Sequence, residues 1–163
     1  MPSESWFEPS GSFCPANSPL TVELWVRPEK PGGTLWGDVG VAMALSLTPE
    51  GKPVARRRQS SDEKRIAAQG EEPVENGKWS HLAGVFDGRS LKLYRNGDLV
   101  AQAPCKGASG SSRMAIGRNP YDMTSIFTGL IEDVRVTARA LKPSEFGPVN
   151  PDEERPAPPA LIK

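Results

Sequence analysis

Gly129-Leu130-Ile131-Glu132-Asp133-Val134-Arg135-Val136 is the stretch on which the fold reading turns. It alternates like a half-buried strand, in which successive side chains point to opposite faces. Unbroken alternation sets Glu132 on the same face as Leu130, Val134 and Val136. A carboxylate aimed at a core needs a partner, because an unpaired buried charge is strongly destabilising. The stretch then runs into Thr137-Ala138-Arg139-Ala140-Leu141 and Ser144-Glu145-Phe146, a polar turn able to open a short helix.

Working outward, the same period recurs. Leu20 to Arg27 places Leu20, Val22, Leu24 and Val26 on one face and Thr21, Glu23, Trp25 and Arg27 on the other, and Pro28 ends it. Further strands are expected at Thr34–Trp36, Val39–Leu47, Val54–Arg58, Ile66–Gln69, Trp79–Phe86, Leu91–Arg95, Leu99–Ala103 and Met114–Gly117, with an edge strand near Trp6-Phe7. Asn96-Gly97 between two such runs is a type I′ hairpin signal, since both residues tolerate positive φ. Strands punctuated every ~8–12 residues, with no long helix, predict an antiparallel sandwich of about a dozen strands. Seventeen prolines and 16 glycines in 163 residues agree with short strands and many turns.

Composition excludes some functions. Lys plus Arg balances Asp plus Glu at 20 each, so the basic excess of a nucleic-acid binder is missing. Arg56-Arg57-Arg58, offset by Asp62-Glu63 and Glu71-Glu72, reads as a solvated surface rather than a phosphate-binding patch. No apolar run approaches the ~20 residues of a membrane span. No signal peptide is visible after Met1, so the protein is expected to be either intracellular or a domain excised from a longer chain, extracellular in the latter case. Cys14 and Cys105 could pair only in an oxidising compartment. The segment 148–163, with five prolines, reads as a semi-rigid linker or tail beyond a domain at 1–147. A linker there suggests a domain attached to a larger multidomain protein or complex.

Four phrases carry a resemblance. "LTVELWVRPE", "GKWSHLAGVFDGRSLKLYRNGDLVAQ", "MAIGR" and "FTGLIEDVRVTARALKPSEF" follow one another as they do in laminin-G-like domains of the concanavalin A-like lectin/glucanase superfamily. The chain resembles that family over about residues 20–147. The resemblance implies an all-β, antiparallel two-sheet jelly-roll sandwich with one concave sheet. It also implies a module that binds a glycan or a protein partner, often with calcium. The family's closing strand usually carries Asp then Glu, whereas Glu132 precedes Asp133 here.

Catalysis is not expected. Paired acid and nucleophile carboxylates must point into one cleft, and the adjacent Glu132 and Asp133 point opposite ways on a strand. His81, the single histidine, reads as a structural imidazole satisfied by backbone or a carboxylate. Calcium takes oxygen ligands. Its candidates are Asp38, Asp87, Asp122, Glu132 and Asp133, with Glu132 and Asp133 preferred for a metal; a half-buried, arginine-paired Glu132 is the competing reading. Sugars are recognised by aromatic faces beside planar polar groups. Trp36, Asp38, Arg118, Asn119 and Tyr121, in two loop segments, are the expected ligand contacts, against packing roles for Trp36 and Tyr121. Trp25 and Trp79 read as framework packing residues. The leading expectation is a non-catalytic, glycan-recognising accessory domain. The alternative is a structural domain that docks against another domain or subunit.

Overall fold

A computed structural model describes residues 18–38, 43–59, 64–106, 114–118 and 125–152. The expected strand at Trp6-Phe7, the start of the Val39–Leu47 strand and most of the proline-rich tail lie outside the described residues. Ten strands are present among them: β1 (Leu20–Pro28), β2 (Gly33–Asp38), β3 (Ala44–Leu47), β4 (Pro53–Gln59), β5 (Lys64–Gln69), β6 (Ser80–Phe86), β7 (Ser90–Arg95), β8 (Asp98–Pro104), β9 (Met114–Ile116) and β10 (Gly129–Thr137). They form two five-stranded sheets, ordered β10-β1-β6-β7-β8 and β5-β4-β3-β2-β9, with antiparallel pairing throughout. The Asn96-Gly97 turn has φ of 51° and 85°, as a type I′ hairpin requires. No helix of the described residues is long and apolar enough to cross a membrane.

The interior follows from alternation. Leu20, Val22, Leu24 and Val26 of β1 meet Leu82 and Phe86 of β6 and Leu91 and Leu93 of β7; Leu35, Leu45, Leu47, Ala55 and Ala68 answer from the second sheet. Each fully buried large apolar side chain contributes about 1.5–3 kcal/mol.

The opposite face of the first sheet is also covered. After β10 the chain turns back across it through a 3₁₀ turn, Pro143–Glu145. Leu141 and Phe146 pack there against Ala83, Val85 and Tyr94, with Ala140 and Val149 alongside. The Thr21 hydroxyl pins the start of this strap with two hydrogen bonds: it donates to the Arg139 carbonyl (2.8 Å) and accepts from the Leu141 amide (2.9 Å).

The decisive strand departs from its simplest reading at one point. Trp25 pairs with Glu132 and Glu23 with Arg135, so Asp133 and Val134 together face the single residue Leu24. Asp133 takes φ of 55° in this β-bulge. The extra residue reverses the alternation. Ile131, Val134 and Val136 pack on the interior, whereas Leu130 is 49% exposed. Glu132 shares the outer face with Trp25, to which it is paired, and is half-buried. The expectation that Glu132 points inward with Val134 and Val136 is thereby corrected. The buried carboxylate of this face is Glu23 instead.

Candidate functional site

The second sheet turns its other face outward, and register names the residues on it. Arg56 and Arg58 of β4 alternate with the inward Ala55 and Arg57; Ser46 and Ala44 of β3 alternate with Leu45. Arg58 pairs directly with Arg65 of β5, and Arg56 pairs with Ala67, two residues further along that strand. Three guanidinium-bearing positions therefore share one patch. Directly opposed residues have Cβ atoms about 4.5–5.5 Å apart, and like charges there are destabilising.

These residues floor a groove of about 630 Å³. Gly32, Gly33, Thr48 and Pro49 wall it on one side, and Ser125 and Ile126 contribute from the chain leading into β10. Gly33 explains how that wall stands so close. Its φ is +108°, and a Cβ placed on it would lie 2.6 Å from the Phe127 Cα, so only glycine lets the two backbones meet. The volume falls within the range of small-molecule sites, about 300–1,000 Å³. Hydroxyls of Thr34, Ser46 and Thr48 offer hydrogen bonds, and Pro31 and Ile126 offer apolar edges. Burial, and then the charge of Arg65, push the Arg56 guanidinium below its ordinary value.

Arg57, between the two groove arginines, goes the other way. It is 3% exposed, and its guanidinium lies 3.6 Å from the centroid of the Phe86 ring. A desolvated cation over an aromatic face is worth about 2 kcal/mol. The Arg56–Arg58 run is thus one core side chain flanked by two groove side chains, not the uniform solvated surface its composition suggests. Alternation along β4 held the signal for this, but not the fact that the outward positions meet a groove.

The ligand contacts expected from sequence fare unevenly. Trp36 lies within β2, not in a loop, and is 3% exposed in the sandwich interior. Simple alternation after Thr34 would turn it outward. However, Thr34 pairs with Ser46 and Trp36 with Leu45, the next residue along β3, so Leu35 is the extra residue of a bulge. Leu35 and Trp36 both turn inward as a result, and the indole has no face for a ligand. Asp38 pairs with Met114 at the start of β9, whereas Arg118 follows the far end of that strand beyond the Trp36–Ile116 pair, so the register does not bring the two together. Gly37, between Trp36 and Asp38, lines the groove. Asn119 and Tyr121 lie outside the described residues.

Glu132 and Asp133, the preferred metal ligands, both have protein partners. The Asp133 carboxylate accepts from Arg135 Nε at 3.3 Å and from Arg135 Nη2 at 3.1 Å, so its charge is already met. Glu132 is engaged elsewhere. Among the described residues no three His, Cys, Asp or Glu side chains gather as a metal site would need. His81 does meet a carboxylate: its Nε2 lies 3.1 Å from Glu23 Oε1.

The whole sandwich matches one family. A profile described as the concanavalin A-like lectin/glucanases superfamily, of laminin-G type, covers residues 6–146. The chain belongs to this family. No curated protein matches it in sequence. Solved structures share the family fold. One is a Bacteroides ovatus protein whose assignment as carbohydrate-binding is provisional (21% identity, TM-score 0.65, covering 86% of this chain and 42% of that one). Another is domain 4 of AbnA, a GH43 extracellular arabinanase from Geobacillus stearothermophilus, in complex with arabinotriose (25%, 0.62, 81% and 66%). A third is the CBM40 of the Ruminococcus gnavus IT-sialidase, bound to α2,3 sialyllactose (18%, 0.66, 80% and 81%). This family member therefore spans less than half the length of the first of these chains.

Proposed function

We propose that this laminin-G-like domain is a non-catalytic glycan-binding module of a larger protein, and that its ligand lies in the groove on the outer face of the second sheet. The groove itself carries the reading. It is a broad recess lined by strand residues with hydroxyl and guanidinium donors and apolar edges, the mixture that sugar rings match. The domain of similar fold that holds arabinotriose supports a saccharide over other small molecules.

Two further observations support binding without chemistry, and without docking. Glycoside hydrolysis needs two carboxyl groups flanking the scissile bond, and among the described residues no Asp or Glu lines the groove. A docking module needs an uncovered apolar sheet face. Here the strap after β10 covers the outer face of the first sheet, and the second sheet shows arginines and hydroxyls.

Affinity electrophoresis through gels carrying neutral and acidic polysaccharides tests the proposal. Retention is expected on at least one, with no release of reducing ends. Ala44→Trp, which fills the groove floor from an outward position, should abolish retention with the melting temperature preserved. Retention by the folded Ala44→Trp protein would remove the groove from consideration.

A further inference from the structure

Arg56, Arg58 and Arg65 stand on one face of two neighbouring strands, with Arg58 and Arg65 in direct register. The charge of Arg65 acts against the Arg56 cation, two positions away across the strand pair. Arg56 is also half-buried, which removes part of its hydration. Among the described residues no carboxylate lies within 4.0 Å of the Arg56 or Arg65 guanidinium. Like charges gathered in a recess mark a candidate binding site.

We infer that the groove selects an acidic saccharide, whose carboxylate or sulfate is bound between Arg56 and Arg65 while the neutral part of the sugar lies against the Thr34, Ser46 and Thr48 hydroxyls. This rests on the reading of the groove as a glycan site and adds the charge of the ligand. Guanidinium is suited to the task. Its planar fork gives two parallel N–H donors to a carboxylate or sulfate, and it stays charged where ammonium would lose its proton. Ser46 faces outward on β3, the strand next to β4, so a hydroxyl row runs beside the cationic one. A ligand anion would also cancel the Arg56–Arg65 repulsion, so part of its binding energy comes from relief of a strain already present in the free protein.

The full chain is titrated calorimetrically with members of a panel that share a neutral core: lactose, 3′-sialyllactose and lactose 3′-sulfate, with oligogalacturonate beside its methyl-esterified form. The acidic members are expected to bind about ten- to a hundredfold tighter than their neutral counterparts, the size of one or two charge-assisted hydrogen bonds. Their affinity should fall with added salt. The sialyl and galacturonate arms report a carboxylate, and the sulfated arm a sulfate ester. Arg56→Gln with Arg65→Gln should erase the preference and leave the melting temperature equal or higher, because a repulsion is removed. Lys78→Gln with Arg89→Gln, the same charge change at exposed sites away from the groove, should keep it. Equal affinity for neutral and acidic members, or an undiminished preference in the Arg56/Arg65 variant, overturns the acidic selectivity and leaves the glycan reading standing. Failure of every saccharide to bind overturns both.

Discussion

Glu23 Oε1 and His81 Nε2 lie 3.1 Å apart across β1 and β6, with both side chains at most 3% exposed. The same carboxylate oxygen accepts from the Gly147 amide at 2.9 Å, so one buried acceptor ties two strands to the returning strap. Rings close around it: Trp25 and Phe146 lie 5.4 and 5.8 Å from the imidazole, centroid to centroid. Water is kept out, and the hydrogen bonds gain strength accordingly.

Removing that acceptor should be expensive. Glu23→Ala leaves both the imidazole and the Gly147 amide without it, and about 3–5 kcal/mol of stability should be lost, as for other broken buried pairs. Glu23→Gln keeps a carbonyl oxygen and should lose less. Urea unfolding followed by tryptophan fluorescence reads both. A Glu23→Ala loss below about 1 kcal/mol would mean that the pair sits in a wetter place than its burial indicates.

Asp87 sets an acid limit. Partial burial raises its carboxyl, but hydrogen bonds from the Arg89 and Ser90 amides, the Ser90 hydroxyl and Lys92 outweigh this and bring it from 3.8 to about 2. The folded value is below the unfolded one, so the stabilisation is complete above about pH 4–5 and is lost as pH falls through about 2. Such a shift is worth at most about 2.5 kcal/mol. With the side chain 30% exposed, screening by water reduces this to about 1 kcal/mol. Asp87→Asn should therefore be less stable than wild type at neutral pH and equal to it near pH 2. A difference that stays constant across an acid titration of stability would contradict the assignment.

Two glycines should respond in the reverse order of their depth. Gly84 lies in the core, where an added methyl meets the Met43 sulfur and, at 3.1 Å, a Leu45 methyl. The thioether is flexible and can move aside, so Gly84→Ala should cost about 1 kcal/mol. Gly33 meets backbone at positive φ, and backbone cannot yield. Gly33→Ala should cost about 2 kcal/mol or more and should also weaken retention on polysaccharide, because it displaces the groove wall. Chemical denaturation of the two variants side by side decides the order; a costlier Gly84→Ala would reverse the argument.

The bulge at Asp133 should prefer glycine to a β-branched residue. Asp133→Gly removes an exposed pair with Arg135, worth little, and relieves the positive φ, so its stability should be near that of wild type. Asp133→Val should lose about 1–2 kcal/mol. Deletion of Asp133 should prevent cooperative unfolding altogether, since it turns Glu132 toward the core. Melting curves of the three variants report this directly, and a cooperative wild-type-like transition in the deletion variant would argue against the bulge.

The sequence by itself determined most strands of the described residues, the hairpin at Asn96-Gly97 and the inner face of β1, because those depend on a period of two and on backbone freedoms that residue types carry locally. It also named His81 as structural. Only the tertiary structure decided where the period breaks. The bulges at Leu35 in β2 and Asp133 in β10 follow from how each strand meets its neighbour, and each reverses the faces beyond it: Trp36 enters the core, and Glu132 leaves it. The groove depends on contacts distant in sequence as well. Arg56 and Arg65 become neighbours only through the β4–β5 register, and Gly33 meets Phe127 only when β2 closes on the segment before β10. Alternation within a strand is local, but a facing partner is supplied by another part of the chain.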